Sequence, residues 1–166
     1  MILGMTTSTY TLVHVLISLV GIGSGWVVLY GLLKGKLFDG WTALYLTTTV
    51  ATSATGFAFP FHELLPSHVV GAISLLVLAV AILARYGLQL AGGWRRVYVI
   101  SAVLALYLNV FVAVVQAFLK MPVLKALAPT QKEPPFMVAQ LVVLLIFGGL
   151  TILAAKRFHV ERARTA

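Results

Sequence analysis

The chain contains no cysteine. That absence excludes disulfides, thiolate metal sites, iron–sulfur clusters, blue copper, covalently attached c-type haem and any cysteine nucleophile. Acidic residues are nearly as scarce, with four among 166. They are Asp39, Glu63, Glu133 and Glu161, too scattered to supply a catalytic carboxylate pair. No nucleotide-binding glycine loop occurs, and neither does an H-E-x-x-H or H-x-x-x-H spacing. Charged residues make up only 10% of the chain and hydrophobic ones 61%, with a mean hydropathy of +1.04. Soluble domains run at about 25% charged and about 45–50% apolar, so a soluble globular enzyme is excluded.

What is present is a series of charge-free windows at 1–33, 40–62, 64–84, 97–119 and 134–155. A helix needs about 20 apolar residues to cross the hydrocarbon core. The windows therefore predict an all-α integral membrane bundle of five transmembrane helices in one domain, 1–166. The helices fall at about 11–33, 41–61, 68–88, 97–119 and 135–156, with an outer loop at 120–134. Arg85 sits in the last turn of the third helix, where it can snorkel to the interface. The first helix lacks a basic leader and is too long for a signal-peptide core, so it reads as retained.

Lysine and arginine set the orientation. With the N-terminus outside, the inner segments hold nine: Lys34, Lys36, Arg85, Arg95, Arg96, Lys156, Arg157, Arg162 and Arg164. The outer segments hold three: Lys120, Lys125 and Lys132. This predicts N-out, C-in in a bacterial inner membrane. Trp41 and Trp94 fall at the inner interface, and the basic tail reads as an anchor on anionic lipid rather than a nucleic-acid site. The outer loop carries Pro122, Pro129 and Pro134, and its Val123–Leu127 stretch reads as a short interfacial helix or lid.

Polar side chains inside a membrane usually face the bundle interior. Counting along the helices at about 1.5 Å per residue brings His14, His62 and His68 to the outer third of the bundle, with Glu63, Gln116 and Gln140, and puts Asn109 just outside the midplane. His14, Ser18, Gly21 and Gly25 form one stripe at helical spacing. Thr48, Thr52, Thr55, Phe59 and His62 form another. Gly21-x-x-x-Gly25 permits close helix approach. Ser67 reads as an N-cap that puts His68 in the first turn of the third helix. His159 belongs to the inner tail.

Haem iron and transition metals take the neutral imidazole. The predicted site is therefore an outward-facing, periplasmic histidine cluster of redox type. In one form His14 and His62 or His68 ligate a b-type haem between helices. In another, His14, His62 and His68 with Glu63 hold zinc, iron or copper. Asn109, Gln116 and Gln140 would act as hydrogen-bonding support or hold the carbonyls of a quinone drawn from the bilayer. Two rival readings use the same residues: a small transporter or channel with an outward-open vestibule, and an accessory or assembly subunit of a larger membrane complex. A homo-oligomer is compatible with all three.

Overall fold

The computed structural model describes residues 4–59 and 66–158, except the side chains of Pro66 and Ser67. His62, Glu63 and His159 lie outside the described residues. Six α-helices follow in order: α1 Thr7–Leu33, α2 Asp39–Gly56, α3 Pro66–Ile82, α4 Trp94–Lys120, α5 Pro122–Leu127 and α6 Pro134–Arg157. A π-helical turn, Leu83–Gly87, extends α3.

Local chemistry explains the ends. Thr6 caps α1, its hydroxyl accepting from Thr9 N–H at 3.2 Å. At the other end Gly35 takes φ +69°, a left-handed conformation suited to glycine. Pro66 opens α3 because its fixed φ suits a first helical position. Ser67 is therefore inside the first turn rather than capping it. Pro134 opens α6 in the same way. Just before it, the Glu133 carboxylate accepts from Thr130 Oγ1 at 2.8 Å and from Lys132 N–H at 3.1 Å.

Among the described residues four helices are long and apolar enough to cross a membrane: Thr7–Leu33, His68–Gly87, Trp94–Lys120 and Pro134–Arg157. The second predicted span differs. It ends at Gly56 instead of reaching 61, is 18 residues long, and so covers about 27 Å. Its hydroxyl residues lower its hydropathy, since Thr42, Thr47, Thr48, Thr49, Thr52, Ser53 and Thr55 all fall within it.

α4 is the hub of the bundle, packing on α1, α3 and α6, while α2 packs on α1 and α3. Arg85, after α3, donates to Asp39 at the start of α2. A Cβ on Gly35 would stand 3.5 Å from the Arg157 carbonyl, and Tyr98 packs on Phe158 with ring centroids 6.5 Å apart. These contacts gather Lys34, Lys36, Arg85, Arg95, Arg96, Lys156 and Arg157 at one end of the bundle. Lys120, Lys125 and Lys132 are at the other.

The two halves pack differently. The half nearer the basic end holds Leu29, Leu32, Tyr45, Tyr98, Val99, Val103 and Leu106, each no more than 2% exposed. Gly25 is essential there. A Cβ on it would lie 2.5 Å from Leu106 Cδ1 and 2.9 Å from Tyr45 Cε2. The Gly21/Gly25 pair thus admits side chains of α2 and α4 inside the chain. Tyr45 OH donates to the Ala102 carbonyl at 2.7 Å and ties α2 to α4.

Toward the other end the packing opens. On α4, Ala102 and Leu106 are buried, but Ala113 and Gln116, further along the same face at i+3/i+4 steps, are exposed. The face of α4 beyond Asn109 is therefore left uncovered by α1 and α2. The short α5 has no buried residue. It packs on α4, whereas the lid reading would set it over the helices that carry His14 and His68.

Candidate functional site

The opening is bounded by stripes of three helices. On α1 the stripe Gly25, Gly21, Ser18, His14 climbs from the tight half to the open end. On α2, Thr49, Thr52 and Thr55 run alongside. On α4, Asn109, Ala113 and Gln116 complete it.

The floor of the opening is polar. A Cβ built on Gly21 would be 3.3 Å from each of Asn109 Nδ2, Thr48 Oγ1 and Thr49 Oγ1. Three polar atoms of two helices thus converge over one glycine of a third. Thr48 Oγ1 donates back to the Leu44 carbonyl at 2.7 Å. Asn109 Nδ2, Thr49 Oγ1 and Thr52 Oγ1 are buried and have no hydrogen-bond partner, although Thr49 is 0% exposed. An unsatisfied buried donor costs about 1–3 kcal/mol. Such groups call for a water or a ligand atom.

His14 stands above this floor. Its Nδ1 is 2.8 Å from Thr55 Oγ1. A hydroxyl carries one proton, and Thr55 donates its own to the Ala51 carbonyl at 2.6 Å. Thr55 must therefore accept from His14. In the neutral ring Nδ1 carries the hydrogen, and Nε2 carries the lone pair. That is the arrangement of an imidazole held ready as a ligand or proton acceptor. Phe59 meets the ring edge-on at 5.2 Å.

Tyr10, not singled out by spacing, belongs to the same cluster. It is 2% exposed, donates to the Thr55 carbonyl at 2.8 Å and packs on Phe59 at 5.0 Å. Its position four residues before His14, one turn along the same face, was the available signal.

The remaining predicted residues disperse. His68 lies in the first turn of α3, 8% exposed, against Phe57 with ring centroids 5.8 Å apart. Phe57 shares with Ser53 the face of α2 turned to α3, where Ser53 donates to Ser74 Oγ at 3.1 Å. Thr55 is on the face turned to α1. His14 and His68 are thus on opposite sides of the end of α2, and the structure does not bring them together. Gln140 is at the α4–α6 contact, donating to the Phe111 carbonyl at 3.2 Å, away from the opening. Gln116 is exposed beside it. Among the described residues no group of three histidines or carboxylates stands close enough to hold a metal ion.

The fold is an all-helical bundle with four helices of membrane-spanning length and apolarity. No protein-family model, curated protein or solved structure matches the chain, so the functional reading rests on the geometry alone.

Proposed function

We propose that the chain is a bacterial inner-membrane protein that crosses five times, N-terminus out and C-terminus in, and binds a small ligand in the outward opening between α1, α2 and α4. His14 and Asn109 are its polar contacts. The observation that carries this reading is the trio of unpartnered buried groups, Thr49, Thr52 and Asn109, at the foot of an opening whose upper wall is exposed. In a bilayer no solvent reaches such groups unless the opening admits it.

The opening is a blind site rather than a through-path. Below Gly21 the interior is closely filled by Leu29, Leu32, Tyr45, Val103 and Leu106, with Ser24, Thr42 and Ser101 buried among them.

Because the chain has no cysteine, single replacements report cleanly. Ala113→Cys and Gln116→Cys, both on the exposed wall, should react with a water-soluble maleimide added from the outside of intact cells. Leu106→Cys should stay unmodified until the protein is denatured. If neither of the first two reacts, the opening is not accessible from that side and the reading is wrong.

A further inference from the structure

The end of the bundle that gathers Lys34, Lys36, Arg85, Arg95, Arg96, Lys156 and Arg157 is short of anything to neutralise them. The described residues hold two carboxylates. Asp39 is bonded by Arg85, and Glu133 belongs to the turn at the opposite end, with Lys132. Neither is left for Lys36, Arg95, Arg96 or Lys156. These four come from three separate places in the chain: the connection after α1, the first turn of α4 and the last turn of α6. A fold that brings such charges together without carboxylates presents a positive field to anions outside the chain.

The aromatic rings beside them say which anions. Tyr30 stands one turn before Lys34, whose ammonium is 5.8 Å from its ring centroid. Tyr86 follows Arg85, whose guanidinium is 5.3 Å from its ring centroid. Trp41 is two residues after Asp39, and Trp94 immediately precedes Arg95. All four rings are exposed. Exposed Tyr and Trp settle at the level of lipid headgroups, where one part of the ring meets hydrocarbon and the other meets water. At the opposite end the one described ring of this kind, Tyr10, is buried. The belt therefore sets the cations at the headgroup plane, not on a projection into water where a nucleic acid or a soluble protein would meet them.

We infer that this end is a docking surface for anionic phospholipid, with Lys36, Arg95, Arg96 and Lys156 holding headgroup phosphates. The surface belongs to the folded bundle, not to the basic tail alone. Arg95 shows how the bundle contributes. It shares a face of α4 with Tyr98, Val99 and Ala102, each no more than 2% exposed, and its Nε is buried. Packing thus fixes its stem at the rim of the sealed half, and a stem so packed keeps its charged head at the interface.

The test uses the two interfacial tryptophans as reporters. In Trp26→Phe they are the only tryptophans left. The purified full-length protein is placed in nanodiscs of mixed phosphatidylcholine and phosphatidylglycerol, with one lipid or the other brominated near the headgroup end of its acyl chains. Quenching of Trp41 and Trp94 then gives the relative affinity of the two lipids for the basic end. Phosphatidylglycerol should be preferred at least about fivefold, the effect of one basic residue near an anionic surface. Raising NaCl to about 0.5 M should remove most of that preference by screening, a readout that does not depend on further variants folding. Lys36→Gln, Arg95→Gln, Arg96→Gln and Lys156→Gln together should bring the preference most of the way to unity. Lys120→Gln, Lys125→Gln and Lys132→Gln together should leave it in place, and so should Arg162→Gln with Arg164→Gln.

Equal quenching by the two lipids at low salt overturns the inference. So does a preference that survives the four-residue variant, or one that is lost with Arg162 and Arg164, which would assign the surface to the tail. Displacement of the lipid by inorganic phosphate at constant ionic strength would make this a site for a free anion, and displacement by a nucleic-acid duplex would name a different partner. Either result overturns it as well. None of these outcomes bears on the opening near His14, which the maleimide experiment tests separately.

Discussion

At the residue scale, Thr55 holds the orientation of His14, and Thr55→Val tests it. Valine keeps the shape and removes the acceptor. The ring should lose its fixed Nδ1–H form, and imidazole ¹⁵N spectra should change from one tautomer to a mixture. Gly25→Ala makes a different demand, because its new methyl would fall inside contact distance of Leu106 and Tyr45. Overpacking of this sort costs about 1–3 kcal/mol. Unfolding in mixed micelles should show the loss, and Leu106→Ala in the same chain should recover part of it. Glu133 gives a pH prediction. Desolvation works to raise its pKa, but hydrogen bonds from the Thr130 side chain and the backbone of Glu133, Thr130 and Lys132 together outweigh it and hold the carboxyl below its ordinary value. A depressed pKa stabilises the turn above the ordinary carboxylate range, and the benefit fades as pH falls through the folded value. Protection of the Thr130 and Lys132 amides relative to their unstructured exchange rates should therefore fall on acidification below about pH 4.5, and in Glu133→Gln the turn should lose that dependence. Residue types and spacing made His14 and Asn109 legible in the sequence. They could not distinguish Gln116, on an exposed wall, from Gln140, bonded to a neighbouring carbonyl, because periodicity tells which residues share a face but not which neighbour covers it.

At the scale of elements, the gaps between charges located α1, α4 and α6 to within a few residues. The errors have local causes. α1 begins at Thr7 rather than near 11 because Thr6 supplies a cap amid an uncharged run. α3 begins two residues early at Pro66 and ends in a π turn, which no count of apolar residues reveals. α2 stops short at Gly56, a residue with poor helix propensity at the end of a run of small and hydroxyl residues. α6 is the most weakly held of the long helices, burying only Phe147 and Ala154. Phe147 packs between Trp26, at 5.4 Å, and Tyr107, at 5.9 Å. Phe147→Ala should destabilise the bundle by about 1–3 kcal/mol, less than the about 3–5 typical of a soluble core, because lipid solvates the exposed ring nearly as well as protein does. Equilibrium unfolding in mixed micelles measures it.

At the scale of the whole molecule, the fold itself gathers seven of the ten described basic residues at one end and leaves Lys120, Lys125 and Lys132 at the other. Whether the more basic end faces inward is the prediction of the positive-inside rule. A reporter fused after Ala166 should be active in the cytoplasm, and one inserted near Lys125 should be active outside. The reverse pattern would invert the bundle and put the His14 opening on the cytoplasmic side.

The composition of α2 has a consequence for how the chain enters the bilayer. Seven serine and threonine residues in an 18-residue helix make it a poor insertion signal for the translocation machinery, which releases segments into lipid according to their apolarity. α1 is long and apolar, and only 34–38 separates the two helices. The pair should therefore leave the translocon together as a hairpin, with α2 solvated by α1 before α3 is made. If α2 is delayed, every later segment is threaded in the opposite sense. Replacing Thr47 with leucine, on the exposed side of α2, should raise the fraction of correctly oriented protein during synthesis without touching the opening.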